Sequence, residues 1–501
     1  MAAAAASVVT TKSGAVRGAI ANGIHAFKGI PFAAPLDGPN LFQPAQPVAW
    51  EGVREALAFG PKPPQSDYPP MVRPLIPPEL SGPGADCLTL NIWTPELGAA
   101  NLPVMLWIAG GMFEYHATGA SPWYDGSAFA RDGVVLVSIN YRVGAPGFLY
   151  LDDGVANLGL LDQIAALTWV RDNIAVFGGD PGNVTVFGES AGALSVGTLL
   201  AMPAARNLFH RATVESGGAQ IVTTAATAER IGRRLAKLLE VEPTRAAIAA
   251  QPVERIVAAQ NALRGELSTA RDPQFWGEVL LHGLPWAPVI DGEVIPAPPL
   301  DLVRAGASAG IDLLVGSNTE EWRLFLVPGG AIDQIPQAAL AGMVAATGLP
   351  VEKGLAAYGE LHPGASPGDL FAAVMTDWYW HIPARRLADT HVGAAAGGTT
   401  YMYEFAWCSP QFDGRLGAGH AVEIPFVFDT LGPHAEPLLG TAPPQPLADA
   451  MHAAWVNFAR TGEPGWPAYD RERRTTMHFD LSSHLVDDPL AKERVLWEGV
   501  R

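Results

Sequence analysis

The sequence has little cysteine, little charge and no long apolar run. Only two cysteines, Cys87 and Cys408, occur in 501 residues, which excludes a small disulfide-built scaffold and leaves no thiolate pair at metal-site spacing. No apolar run approaches the ~18 residues that a membrane-spanning helix needs. The N-terminal stretch lacks the basic region and apolar core of a signal peptide. We therefore expect a cytoplasmic protein without a membrane span.

Basic residues are also scarce. Fifty acidic residues stand against 32 Lys and Arg, which gives a formal net charge of −18 at pH 7. This balance repels nucleic acid phosphates and anionic membranes, so neither is an expected partner. Hydrophobic residues make up 49% of the chain, enough for a large core. No linker or repeat divides the chain, and we expect one domain over residues 1–501.

Strand and helix patterns alternate along the chain. Near-continuous apolar runs at 104–108, 134–139, 184–187, 313–315 and 401–405 predict strands buried on both faces of a mostly parallel sheet. Helical patterns are present at 161–177, 191–202, 226–239 and 447–460. The alternation predicts an α/β fold with helices on both faces. Between about 220 and 400 the chain is mostly helical and Ala-rich, as is typical of a cap over the sheet.

Residues 183–192 (NVTVFGESAG) place a serine between a predicted strand and a predicted helix. Ser190 lies between Gly188 and Gly192, in the G-x-S-x-G pattern of a nucleophile elbow. A strand that reverses sharply into a helix brings backbone against backbone, and glycine removes the side chains that would clash. The helix N-terminus favours developing negative charge. The alternative is a Gly-rich turn that contains a serine by chance, which the flanking elements disfavour.

A serine nucleophile needs donors for an oxyanion and a base for its proton. Gly110 and Gly111 follow the strand at 104–108 and could turn N–H groups toward a substrate oxygen, together with the N–H of Ala191. An ordinary strand-ending turn fits these glycines equally well. Of twelve histidines, His420 in the small-residue loop 417–423 is the candidate base, although loop histidines are more often surface residues. His116, near the glycines, is a candidate for substrate contact.

The acid of an α/β-hydrolase lies between the serine and the histidine in chain order. Glu320 and Glu321 follow the predicted strand at 313–315. Either carboxylate could orient the imidazole and stabilise its protonated form. The pattern does not choose between the two, and a solvated acidic pair is the alternative.

Over nearly its whole length the chain resembles the type-B carboxylesterase family, which includes cholinesterases and bacterial para-nitrobenzyl esterases. The matching motifs run in order along the sequence: 27–33 (FKGIPFA), 86–91 (DCLTLN), 140–144 (NYRVG), 157–163 (NLGLLDQ), 177–181 (FGGDP), the Ser190 elbow, 461–464 (TGEP) and 466–467 (WP). The resemblance implies an α/β-hydrolase fold with a helical cap. It also implies a serine carboxylesterase that needs no metal and no organic cofactor.

The resemblance also implies a role for each candidate residue, and it chooses between the two glutamates because Gly316, Asn318 and Glu321 match the family spacing. The implied residues are Ser190 as nucleophile, His420 as base, Glu321 as acid, Gly111, Met112 and Ala191 as oxyanion donors, and Glu189 as electrostatic support.

Three departures from the family pattern concern the region closest to substrate. Ala109 stands where the family usually has His or Tyr, Met112 where it has Gly or Ala, and Trp322 where it often has Gly. The Met112 side chain would crowd the acyl side of the pocket. The usual cysteine partner of Cys87 is missing, so we expect a free buried thiol. Of the aromatic residues near these motifs, we expect Phe113 and Trp322 to lie in the substrate pocket.

The combined prediction is hydrolysis of a small-molecule carboxylic ester through an acyl-enzyme, by a monomer or weak homo-oligomer. One alternative is a carbamate or amide hydrolase that uses the same residues. Another is a non-catalytic binding protein, since some relatives of the fold lose the catalytic residues. The presence of Ser190, Glu321 and His420 argues against the second alternative.

Overall fold

The computed structural model describes residues 6–98, 100–115, 118–394 and 397–500. In these ranges thirteen strands form one sheet and two more, β10 and β11, form a separate parallel pair. The strands are β1 (Ala6–Thr10), β2 (Ala15–Ala21), β3 (Ile24–Pro31), β4 (Val53–Glu55), β5 (Thr89–Thr94), β6 (Leu102–Ile108), β7 (Val135–Ile139), β8 (Gly179–Glu189), β9 (Arg211–Glu215), β10 (Thr223–Thr224), β11 (Val289–Ile290), β12 (Asp312–Asn318), β13 (Thr400–Phe405), β14 (Thr475–Phe479) and β15 (His484–Asp487). Their order in the large sheet is β1-β2-β3-β5-β7-β6-β8-β9-β12-β13-β14-β15, with β4 beside β2.

Helices connect and cover these strands. They are α1 (Ser127–Arg131), α2 (Gly144–Phe148), α3 (Leu158–Asn173), α4 (Ala191–Leu199), α5 (Ala225–Leu239), α6 (Arg245–Ala249), α7 (Val253–Thr269), α8 (Pro273–Trp276), α9 (Val279–His282), α10 (Pro299–Arg304), α11 (Arg323–Leu326), α12 (Gln337–Ala346), α13 (Val351–Leu361), α14 (Pro367–Thr376), α15 (Ile382–Gly393), α16 (Ile424–Val427), α17 (Glu436–Leu439), α18 (Gln445–Thr461) and α19 (Ala491–Leu496). Short 3₁₀ turns lie at Gly38–Phe42, Arg73–Leu75, Pro122–Tyr124, Ile174–Phe177, Pro203–Ala205 and Ala331–Gln334. One π-helix, Asp377–His381, lies between α14 and α15.

Alternate side chains of the central strands enter two different hydrophobic clusters. On β6, Val104 and Leu106 belong to one cluster, while Met105 and Trp107 belong to the other. The first cluster includes apolar residues of α3 and α4, and the second includes those of α1 and α18. Successive side chains of a strand point to opposite faces, so both faces of the sheet are covered. The predicted α/β architecture is confirmed, and the covering explains why the strands read as continuous apolar runs.

The five predicted strands are present as β6, β7, β8, β12 and β13, and the predicted helices as α3, α4, α5 and α18. The largest difference is at β8, which begins at Gly179, five residues before its predicted start. Its first residues are Gly, Asp, Pro and Gly, which are typical of turns. Pairing of Gly179 with Leu102 on β6 extends the strand despite this composition. The segment 220–400 holds α5 to α15 and is mostly helical, as predicted.

The central strands β7, β6, β8, β9, β12, β13 and β14 pair in parallel. Their carboxyl ends therefore meet at one edge of the sheet. At this edge lie the glycine loop after β6, Ser190 after β8 and Glu321 after β12. Ligand sites of open α/β sheets lie beyond this edge.

The sequence predicts that the chain has no membrane-spanning helix and that Cys87 is a free thiol. Within the described ranges, every helix is too short or too polar to cross a membrane. Cys87 is a free buried thiol, as expected, and Cys408 is a free exposed one. Burial raises the pKa of the Cys87 thiol to about 12.

A fully buried ion pair connects the N-terminal segment to the loop after β7. Arg142 and Asp162 are both inaccessible to solvent, and their side chains make two hydrogen bonds, of 2.6 and 2.8 Å. The same guanidinium donates to the carbonyl oxygens of Leu41 and Gln43 at 2.9 and 2.7 Å. Since a buried charge is stable only when it is paired and hydrogen-bonded, this pair holds three chain segments in one arrangement.

Replacing Asp162 by Asn should lower the free energy of unfolding by about 3 to 5 kcal/mol, because it leaves a buried guanidinium without its counter-charge. Urea unfolding followed by circular dichroism measures the change. The control is Asp172→Asn, which removes an exposed partner of Arg171 and Lys12 and should cost less than about 1 kcal/mol. Equal effects of the two substitutions would contradict the prediction.

Candidate active site

Ser190 lies on a tight turn between β8 and α4. Its backbone has φ 58° and ψ −123°, a conformation that L-residues rarely adopt. The turn is held by hydrogen bonds at both sides, since Ser190 N–H donates to the Glu215 carbonyl at 3.0 Å and the Ser190 carbonyl accepts from Leu194 N–H at 2.8 Å. The side chain is thereby fixed at the carboxyl edge of the sheet.

The two elbow glycines are required by close backbone contact with the end of β6. A Cβ on Gly192 would overlap the Ile108 carbonyl oxygen, and a Cβ on Gly188 would lie 2.6 Å from the same oxygen. Contacts this short do not occur between real Cβ and oxygen atoms, so a side chain at either position would push β6 and α4 apart. The local structure therefore has the geometry predicted from the G-x-S-x-G pattern.

The loop after β6 has three successive residues with positive φ. Gly111 has φ 117°, Met112 has φ 56° and Phe113 has φ 57°. Such conformations cost of order 1 to 3 kcal/mol each for residues other than glycine, and the surroundings hold them in place. Gly111 O accepts from the N–H groups of Glu114 and Tyr115 at 3.0 and 2.8 Å, and Phe113 O accepts from Gly144 N–H at 2.6 Å.

This conformation leaves backbone donors beside Ser190. Among the described residues, the N–H groups of Gly111, Met112 and Ala191 donate to no protein acceptor. Gly111, Met112 and Ser190 line the same cavity, and Ala191 begins α4, where N–H groups have no partner within the helix. The three groups are available to an acceptor brought by a ligand.

His420 is almost completely buried and is oriented by Glu321. Its Nδ1 lies 2.6 Å from Glu321 Oε2, and its backbone N–H donates to the Glu321 carbonyl at 3.1 Å. The other oxygen, Glu321 Oε1, accepts from Asn318 N–H at 2.8 Å. The ring also packs against Trp380 and Phe325, with centroid separations of 4.6 and 5.4 Å. These contacts orient the resting imidazole with Nδ1 toward Glu321.

The neighbouring Glu320 has a different environment. Its side chain is 29% exposed, and its carboxylate lies 3.0 Å from the Arg323 guanidinium and accepts from Ala418 N–H at 3.0 Å. Glu321 is completely buried and contacts the imidazole. Of the two carboxylates that sequence reasoning left open, Glu321 is therefore the one in contact with His420.

The second ring nitrogen of His420 faces Glu189. His420 Nε2 lies 2.9 Å from Glu189 Oε1. In the described part of the chain, no hydrogen bond joins this nitrogen to the Ser190 hydroxyl, although both side chains line one cavity. The resting arrangement therefore brings serine, imidazole and both carboxylates together, with the imidazole between the two carboxylates.

The His420 imidazole lies among buried carboxyl groups, and their charges affect its titration. Burial would lower the pKa of His420, but the charges of Glu189 and Glu321 outweigh this effect and raise it well above its ordinary value. Burial, together with those same charges, raises the pKa of Glu423 to about 8. Burial also raises the pKa of Glu215. Glu423 and Glu215 therefore ionise less readily than free carboxyl groups.

The cavity at Ser190 and His420 has a volume of about 70 Å³. Most of its wall is apolar, and aromatic residues contribute a large part of it. The lining residues beyond the glycine loop, Glu189, Ser190 and His420 are Tyr68, Pro69, Val72, Ile76, Trp123, Tyr124, Leu324, Phe325, Ala421 and Ile424. Such a space accommodates a small apolar group next to the serine.

Phe113 and Trp322 lie outside this lining, which differs from the expectation for the two residues. Phe113 is completely buried and packs edge to face against Phe148, at 5.0 Å between ring centroids. Trp322 packs against Phe325 and Tyr379, at 4.9 and 5.3 Å. Phe325, one turn after Glu321, therefore takes the place next to the imidazole. His116 is outside the described residues.

Sequence reasoning missed several residues that build the site. Trp380, Asn318 and Phe325 contact His420 or Glu321, and Glu423 adds a second acidic group behind them. Phe325 had one usable signal, since it follows Glu321 at helical spacing. The aromatic residues Trp123 and Tyr124 belong to a 3₁₀ turn distant in sequence from every motif, and no local pattern indicates their place.

Replacing Glu189 by Gln should lower the pKa of the His420 imidazole, because it removes one of the two negative charges that favour the protonated ring. An NMR pH titration of the histidine ring protons measures the shift. Glu404→Gln is the matched control: Glu404 lies 2.6 Å from His478 Nδ1, so this variant should lower the pKa of His478 and leave His420 unchanged. An unchanged His420 titration in Glu189→Gln would contradict the prediction.

Comparisons with known proteins agree over nearly the full length. The sequence model of the Carboxylesterase family matches residues 5–347 and 352–497. The chain is 36% identical to the para-nitrobenzyl esterase of Bacillus subtilis (strain 168), over 97% of each chain, and 34% identical to the phenmedipham hydrolase of Pseudarthrobacter oxydans, over 92% of each.

Solved structures give the same result. A Geobacillus stearothermophilus carboxylesterase is 37% identical and superposes with a TM-score of 0.84, covering 98% of this chain and 99% of that one. A para-nitrobenzyl esterase structure, 34% identical with the same coverage, has a TM-score of 0.85. The expected α/β-hydrolase fold is therefore confirmed, and the chain belongs to the carboxylesterase family of carboxylic ester hydrolases.

Proposed function

We propose that the enzyme hydrolyses carboxylic esters through an acyl-enzyme, with Ser190 as nucleophile, His420 as general base and Glu321 as the acid that orients it. The observation that carries this proposal is the 2.6 Å contact between Glu321 and His420 Nδ1, in a cavity that the imidazole shares with Ser190. The carboxylate fixes the ring tautomer with its proton on Nδ1. Nε2 is then the nitrogen that can accept a proton when the ring is neutral.

In the first step, Ser190 Oγ attacks the ester carbonyl carbon while His420 Nε2 takes the hydroxyl proton. Nε2 turns from Glu189 toward Ser190 as substrate enters, since catalytic hydrogen bonds often tighten only in the substrate complex. The imidazolium then protonates the departing alkoxide, and the alcohol leaves. Water attacks the acyl-enzyme in the same manner, which releases the carboxylic acid and restores the serine.

We propose that the N–H groups of Gly111, Met112 and Ala191 bind the oxyanion of both tetrahedral intermediates. Support comes from their freedom from protein acceptors and from the positive φ angles that hold the loop in place. A preorganised donor of this kind is worth about 3 kcal/mol in the transition state. Glu189 supports the reaction by stabilising the imidazolium, which lies 2.9 Å from its carboxylate.

The substrate class that we propose is a small apolar ester, because the cavity is about 70 Å³ in volume. Three of the four relatives reported above carry esterase names, which favours esters. Comparing turnover of an ester with that of its matching amide and carbamate separates the alternatives. We further propose a single catalytic domain in which the helical segment 220–400 forms the cap. Leu324 and Phe325 of this segment line the cavity. Two free thiols support a cytoplasmic location.

Replacing Ser190 by Ala should reduce kcat for a short-chain aryl ester by roughly a thousandfold or more, because the attacking oxygen is lost. Labelling by an organophosphonate should disappear with it. The control is Ser195→Ala, a buried serine on the same helix whose hydroxyl accepts from Gln163, which should retain turnover and labelling. Turnover of Ser190→Ala near the wild-type rate would refute the proposal.

Replacing Met112 by Gly should increase kcat/KM for longer acyl chains relative to acetyl esters by roughly tenfold or more, because each methylene group in a hydrophobic pocket is worth about 1 to 3 kcal/mol. Met112 lines the cavity, and glycine tolerates its positive φ. An acyl-chain series of aryl esters measures the preference. Met112→Leu, of similar volume, should keep the wild-type preference. Identical chain-length profiles for Met112→Gly and wild type would exclude this role.

A further inference from the structure

A second buried histidine–carboxylate pair lies on the π-helix Asp377–His381. His381 Nδ1 lies 2.8 Å from Asp377 Oδ1, and both side chains are less than a tenth exposed. His381 Nε2 lies 2.8 Å from the carbonyl oxygen of Asn318. Neither residue lines the cavity at Ser190, so a direct contact with substrate is not their role.

The hydrogen-bond partners determine the protonation of this pair. A carbonyl oxygen only accepts, so Nε2 must carry a proton. Asp377 Oδ2 accepts from the Tyr358 hydroxyl, which itself accepts from Trp497 Nε1 at 2.9 Å. Because Trp497 is a donor only, the Tyr358 proton must point to Asp377. With acceptors on both sides of the ring, His381 is an imidazolium paired with a carboxylate.

The electrostatic surroundings agree with this assignment. Burial would lower the pKa of His381, but the Asp377 hydrogen bond and charge, the Asn318 carbonyl and the charge of Glu321 raise it. Other ionisable groups facing the pair are Tyr358 of α13, His362 and Glu493 of α19. The pair is neutral overall, and its imidazolium is the part that bonds to Asn318.

Asn318, whose carbonyl oxygen accepts from His381, also makes hydrogen bonds to Glu321 and to the loop that carries His420. Its backbone N–H donates to Glu321 Oε1 at 2.8 Å, and its side-chain amide donates to the Gly419 carbonyl at 2.8 Å and to Glu423. The hydrogen bond from His381 to the Asn318 carbonyl therefore positions the residue that orients the Glu321 carboxylate. It also fixes the backbone next to His420.

The π-helix allows one short segment to reach both parts of the site. Its hydrogen bond from Ile382 N–H to the Asp377 carbonyl spans five residues, which widens the turn and is frequent at functional sites. Trp380 stacks on the His420 ring at 4.6 Å, while the next residue, His381, bonds to Asn318. Just before the π-helix, Thr376 Oγ1 accepts from Trp322 N–H at 3.0 Å. The segment thus contacts both chain segments that carry Glu321 and His420.

We propose that His381, with Asp377 as its counter-ion, is a positioning residue of the esterase site: it holds Asn318 so that Glu321 keeps His420 aligned. This inference rests on the proposed roles of Glu321 and His420. His381 acts through Asn318 and touches neither the reacting atoms nor the substrate.

The test uses His381→Gln in the full-length enzyme, which removes the charge and keeps an amide donor. We expect kcat for a short-chain aryl ester to fall roughly tenfold or more, since small misplacements of catalytic groups have effects of this size, with KM nearly unchanged. Loss of the nearby positive charge favours a protonated His420. The acid limb, which is the fall of kcat/KM on the acidic side of its pH profile, should therefore move to higher pH.

Three further measurements keep the test decisive. Asp377→Asn should also lower kcat, because His381 loses its counter-ion, but it should move the acid limb less, because it leaves no unpaired negative charge. His391→Gln is the matched control: His391 is completely buried on the adjoining α15 and bonds to Thr400, and its replacement should change neither quantity. Rates are expressed per serine titrated with an organophosphonate, so that misfolded enzyme does not count.

A wild-type acid limb and an unchanged rate per titrated serine in His381→Gln would overturn the inference. A loss of titratable serine alone, with the rate per site and the acid limb intact, would also overturn it, because it reports folding only. If the wild-type enzyme and His391→Gln hydrolyse no ester, the proposed function has failed. The NMR titration of His420 then still decides the positioning role, since its pKa must rise in His381→Gln.

Discussion

The parallel pairing of the central strands is the constraint on which the site depends. It brings the ends of β6, β8 and β12 to one edge, although Gly111 after β6 and Glu321 after β12 are 210 positions apart in sequence. The pairing is locked at this edge by backbone bonds: Ser190 N–H donates to Glu215 O, and Ser216 N–H donates to Gly316 O. If the pairing of one strand slipped by one residue, every side chain of that strand would turn to the other face of the sheet. The register of the sheet therefore determines which side chains meet at the candidate site.

The buried site also restricts where charges can lie, because charges interact strongly in a low-dielectric interior. The imidazole lies between Glu189 and Glu321, and burial raises the pKa values of the neighbouring Glu215 and Glu423 carboxyls, which opposes further negative charge at the site. The His381–Asp377 pair contributes a separate dipole on the other side of Asn318. Two histidine–carboxylate pairs thus share one backbone residue, and both are shielded from water.

Sequence reasoning reached the parts of the site that depend on local pattern. Gly188, Ser190 and Gly192 predicted the elbow because its close backbone approach excludes side chains, and the apolar runs predicted five central strands. The choice of Glu321 over Glu320 came only from the family resemblance. The lining of the cavity was not predictable, because Tyr68, Trp123 and Phe325 reach it through tertiary packing. Likewise, the run Trp378 to His381 has no local sign of a π-helix, since an i→i+5 turn and an ordinary helical turn share the same residue preferences.

The glycine loop after β6 stores strain, and this has a consequence for heating. Met112, Phe113 and Ser190 are all held at positive φ by packing and a few hydrogen bonds, whereas the sheet beneath them is held by many cooperative ones. Local relaxation releases this strain, so on heating the loop should open before the sheet unfolds. The N–H groups beside Ser190 would then lose their arrangement while the secondary structure is still intact.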